Sequence, residues 1–66
     1  MKGFIEVLNK ETNNLVLINV SEIFSVVSAN GSAGSAHIYF KNDTELVCVN
    51  SYASVYNQLF DAMEVR

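Results

Sequence analysis

The sequence predicts an α+β fold: an antiparallel meander of about five short strands with one C-terminal amphipathic helix packed on one face. Two observations carry this. Short apolar segments alternate with polar turn clusters up to Asn50, and beyond Ser51 the hydrophobic period changes from two to 3.6. With 66 residues, half of them hydrophobic, the chain is expected to form a single domain spanning 1–66.

Phe4 to Leu8 (Phe-Ile-Glu-Val-Leu) reads as the first strand, rich in residues that suit a pleated, half-buried surface. Asn9 to Asn14 is a polar hairpin connection, because asparagines tolerate left-handed backbone and bond their own chain. Leu15 to Asn19 forms the second strand. Asn19-Val20-Ser21-Glu22 suits a tight turn or one helical turn. Ile23 to Ala29 resumes an extended pattern as the third strand. Asn30 to Ser35, with two glycines and short side chains, reads as the most flexible stretch. Ala36 to Phe40 and Glu45 to Val49 are the last two strands, joined by the turn Lys41 to Thr44. Tyr52, Val55, Tyr56, Leu59, Phe60 and Met63 then fall on one helical face. Ser51 is placed as the N-cap, and Asp61 and Glu64 leave the last turn without favourable charge, so fraying is expected there.

The second strand carries Leu15 and Leu17 on one side and Val16, Ile18 and Val20 on the other; the third sets Ile23 and Val27 against Phe24 and Val26. A solvated antiparallel sheet shows one polar side, and this one does not. Five strands of five residues make a patch of roughly 24 by 17 Å, whereas a helix of about 12 residues is roughly 18 Å long and 10 Å wide. The helix therefore covers about half of one face. No proline blocks a strand edge. A homo-oligomer is the expectation, formed by face packing or by edge pairing.

Charge and motifs narrow the function. Four basic residues against seven acidic ones leave a formal net charge of −3, and the cations are scattered, so nucleic-acid binding is not favoured. The apolar runs fall short of the roughly 20 residues of a membrane span, and the N-terminus lacks the apolar core of a secretory signal, so no membrane insertion is expected. One cysteine cannot form an intrachain disulfide, and a cytoplasmic location follows as the default. His37 is the sole histidine, too little for a zinc site, and reads as a surface or interface residue. Cys48 lies between two valines and reads as a small core hydrophobe. Asn42 to Glu45 does not match a calcium loop, and Gly31 to Gly34 joins two strands, where a phosphate loop joins a strand to a helix. Tyr52 and Tyr56 are expected to pack on the sheet or in a subunit contact. No catalytic group and no cofactor is expected. The loop exceeds what a tight hairpin needs, so its Asn30, Gly31, Ser32 and Gly34, with His37 and Tyr39 on the strand that follows, are the candidate contacts for an unidentified protein partner.

One resemblance spans almost the whole chain. Phe4-Ile5-Glu6-Val7, a polar turn, Leu17-Ile18-Asn19-Val20 with Ile23, then Ile38-Tyr39-Phe40-Lys41-Asn42 and Val47-Cys48-Val49-Asn50-Ser51-Tyr52 with Val55 resemble the small bacterial FlbD/SwrD-like proteins of flagellar and swarming motility. The chain departs from that pattern in the turn after Phe40, which lacks the usual glycine, at Asn50, where an acidic residue is common, and in its longer Asn30 to Ser35 loop. The resemblance implies a short, non-catalytic accessory protein. A regulator binding nucleic acid through an assembled surface is the alternative expectation.

Overall fold

The computed structural model describes residues 3–28 and 30–62. Five strands precede one helix: β1 (Phe4–Leu8), β2 (Leu15–Asn19), β3 (Ile23–Ser28), β4 (Ser35–Phe40), β5 (Glu45–Ser51) and α1 (Tyr52–Ala62). The class is the expected α+β. Ala29, expected at the end of the third strand, and Met63 and Glu64 of the expected helix lie outside the described residues.

The strands form two antiparallel sheets and not one continuous meander: β1-β2, and β3-β4-β5. The division falls at a 3-10 turn over Val20–Glu22, where the Asn19 Oδ1 accepts from the Ser21 N–H and the Val20 N–H donates to Gly3 O. Those bonds carry the chain away from β2 before it can return beside it. β1 instead lies against β5, where Asn9 bridges Cys48 and the Lys10 N–H donates to Val47 O at 2.9 Å.

Both tight turns use left-handed backbone, at Asn13 (φ 62°) and Asp43 (φ 70°). Asn9 Oδ1 accepts from the Glu11 N–H, and Asn42 Oδ1 accepts from the Thr44 N–H, as short polar side chains do in turns. Ser51 caps α1 by accepting from the Ser54 N–H at 3.2 Å.

The core is shared by every strand except β3: Ile5 and Val7, Ile18, Ala36 and Ile38, and Cys48, closed by Val55 and Ala62 of the helix. Val26 and Ile23 of β3 pack against its margin. The register shifts between Ile23 and Ser25, and this bulge corrects the simple alternation expected for the strand. Ile23 and Val26 face the core, while Phe24 and Val27 are exposed. On α1 the packing stripe is narrower than its apolar one. Val55, Leu59 and Ala62 pack inward, whereas Tyr56 (56 % exposed) and Phe60 (73 %) do not, so of the two placements expected for Tyr56, on the sheet or in a subunit contact, the first does not hold. On β2, Leu15 and Leu17 are also uncovered, at 68 % and 55 % exposed.

Candidate functional site

The face of β3-β4-β5 turned away from the core is set by register. Val27, His37 and Val47 lie abreast, and next to them Ser25, Tyr39 and Glu45. His37 Nδ1 lies 3.1 Å from Glu45 Oε2 across the β4-β5 pair. The Glu45 charge holds the Tyr39 phenol above its ordinary 10.0, with smaller contributions from lost hydration and from a hydrogen bond to the same carboxylate. This face is therefore mixed, aliphatic with one His-Glu-Tyr cluster.

The loop expected to be flexible is a built structure. Gly31–Ala33 forms a 3-10 turn, entered through Gly31 at φ +73°. Ser28 Oγ donates to Gly31 O at 2.6 Å, the Gly34 N–H donates to Gly31 O, and Gly34 O accepts from the Tyr52 N–H at 2.8 Å. A Cβ on Gly34 would sit 2.8 Å from Ser28 Oγ and 2.9 Å from Asn30 Cβ, so only glycine fits there without movement. The turn rests on α1.

Two hollows lie between β3 and α1. One, about 270 Å³, is lined by Val26, Val27, Ser28, Gly31, Ser32 and Tyr52. The other, about 340 Å³, runs past Val20, Ile23, Phe24, Val26, Tyr52 and Leu59. They share Val26 and Tyr52, and so form one groove along β3, whose lining includes no charged side chain. Tyr52 and Tyr56 stack along the helix with ring centroids 6.4 Å apart. Phe24, 76 % exposed, stands at one end.

Of the candidate contacts read from the sequence, Gly31 and Ser32 line the groove, and Asn30 and Gly34 sit beside it in the same turn. His37 and Tyr39 lie on the opposite face of the sheet, so the six do not form one surface. Phe24, Val26 and Ser28 of β3 line the groove without being among those candidates, and Tyr52, expected on the sheet or in a subunit contact, lines it with them. The one signal for the β3 residues is that the strand (Ile-Phe-Ser-Val-Val-Ser) holds no charge, glycine or proline. Among the described residues, no group of three His, Cys, Asp or Glu side chains is placed to hold a metal, and no helix is long and apolar enough to cross a membrane.

These features define a small α+β protein with two abutting antiparallel sheets and an uncharged groove beside an edge strand. No protein-family model matches the chain, no curated protein matches its sequence, and no solved structure matches its fold.

Proposed function

We propose that the protein is a non-enzymatic interaction module of the cytoplasm that works as a homo-oligomer and offers its remaining surface to a protein partner. The observation that carries this reading is the apolar character of surfaces the single helix leaves open: Leu15 and Leu17 on β2, Phe24 on β3, Phe60 on α1. Isolated exposed hydrophobes are ordinary on monomers, but large apolar side chains on both sides of a sheet favour association. The similarity of strand and turn order to FlbD/SwrD-like proteins supports an accessory role in motility. The outward Glu6 and Glu45 and the net charge of −3 weigh against a nucleic-acid partner.

Size-exclusion chromatography with light scattering tests the reading. A mass of two or more 7.3 kDa chains at micromolar concentration is expected. A persistent monomer would remove its basis.

A further inference from the structure

Within the proposed self-assembly, on which this inference rests, the backbone specifies which edge is used. The Phe40 N–H donates to Thr44 O, so the even-numbered residues of β4 turn their backbone groups toward β5. The Lys41 N–H donates to Glu22 O on the other side, so the odd-numbered ones turn toward β3. Tyr39 and His37 accordingly exchange bonds with their register partners Ser25 and Val27. By the same alternation, Val26 and Ser28 direct their N–H and C=O groups to the outer edge of β3, where no strand lies among the described residues.

Natural edge strands are commonly guarded by lysine, proline or an inward charge, and β3 has none of these. It also carries a protrusion and a recess that match. If two copies of β3 run antiparallel about a two-fold axis at Val26, each Val26 meets its own counterpart in a doubly hydrogen-bonded pair. Phe24 then comes opposite Ser28 of the other copy, and Ser28 opposite its Phe24. Side chains paired across an antiparallel ladder share a face. Phe24 lies on the groove side, so it meets the hollow beside the other copy's Ser28, Gly31, Ser32 and Tyr52. That hollow is about 270 Å³, and an apolar cavity of about 150 Å³ suffices for benzene. Because the groove lining is uncharged, the net charge of each copy opposes this contact only from a distance.

We propose that the outer edge of β3 pairs antiparallel with β3 of a second copy of this chain, with the Phe24 side chain of each copy seated in the other's groove beside Tyr52. The interface is isologous and joins the two three-stranded sheets into one of six.

Two measurements test it together. In hydrogen exchange on the wild-type chain, the Val26 and Ser28 amides are expected to be protected at high protein concentration and to lose protection on dilution. Phe24→Glu, at a position too exposed to unfold the protomer, is expected to raise the dissociation constant at least about tenfold with an unchanged circular dichroism spectrum. Retained association in Phe24→Glu, or β3 amides that exchange freely in an associated wild-type protein, would overturn the β3 interface while leaving self-assembly intact. A wild-type monomer at every concentration would overturn both.

Discussion

The side-chain amide of Gln58 occupies the place of a strand partner for Glu6. The Glu6 N–H donates to Gln58 Oε1 at 3.1 Å, and Gln58 Nε2 donates to Glu6 O at 2.9 Å. Two residues on, the Leu8 N–H donates to Asn50 Oδ1 at 2.8 Å, and after a further two the Lys10 N–H donates to Val47 O. The outward N–H groups of Glu6, Leu8 and Lys10 are thus met in turn by the helix, by an asparagine of β5 and by the β5 backbone. Side-chain amides seal the seam where the two sheets diverge, and they dock α1 in a fixed register against β1.

Replacing Gln58 with alanine should therefore cost more than an ordinary surface truncation. Two backbone groups lose their partner at the seam, and because water still reaches them, a loss of about 1–2 kcal/mol is expected. Gln58→Glu keeps the acceptor for the Glu6 N–H but sets a carboxylate against the Glu6 carbonyl, so it should be no better than alanine. Urea denaturation of the three proteins checks this. An alanine variant as stable as wild type would mean that the seam is held by apolar packing alone.

Which parts of this architecture could be read from the chain follows the range of the interactions involved. β1 and β2, both tight turns and the Ser51 cap depend on residues a few positions apart, and composition alone places them. The bulge at Ile23 and Ser25 depends on how β3 fits β4, and the placing of β1 against β5 depends on the Asn9–Cys48 bridge, contacts that no local pattern announces. On α1, Tyr56 and Phe60 share an apolar arc with Val55 and Leu59, but the surface beneath is too narrow to reach them. Gly31 and Ser32 were legible as loop residues at the groove; Phe24, an apolar strand position on the side of Val26, was not singled out.

Gly34 should be the least replaceable position of the loop. In Gly34→Ala the new methyl meets Ser28 Oγ and the Asn30 backbone region at separations that require movement, and that movement disturbs the Tyr52 N–H bond at the start of α1. A destabilisation of about 1–3 kcal/mol is expected. Adding Ser28→Ala should recover part of it, since one of the two close neighbours is then gone. Thermal unfolding of the single and double variants measures the coupling, and strictly additive losses would rule out the Ser28 contact as the cause.

The Tyr39 phenol should ionise above its ordinary value, because deprotonation would set two anions side by side on the outer sheet face. Glu45→Gln removes the charge and should bring the titration down toward that of a free tyrosine. Ultraviolet difference titration of the two proteins, against a Tyr39→Phe control that isolates this ring from Tyr52 and Tyr56, reads the shift. Coincident curves for wild type and Glu45→Gln would dissociate the pair.

Cys48 offers a test of the core itself. Its thiol is fully buried, and loss of hydration pushes its pKa from 9.0 up to about 11. The unfolded chain therefore releases this proton at a lower pH than the folded one does. The stabilising contribution is complete below about pH 9 and is lost as the pH rises toward 11, because in that interval the folded state holds the extra proton. A shift of this size corresponds to about 2–3 kcal/mol. Cys48→Ala lacks the titration, so the stability difference between wild type and this variant should shrink or reverse between pH 8 and 11, whatever the lysines and tyrosines contribute to both. The same burial makes the thiol inert at neutral pH: a disulfide reagent should modify Cys48 only at the rate at which the core opens, with urea accelerating the reaction in step with unfolding. Rapid modification of the native protein at pH 7 would show that β5 separates from β1 and α1 far more readily than its packing implies.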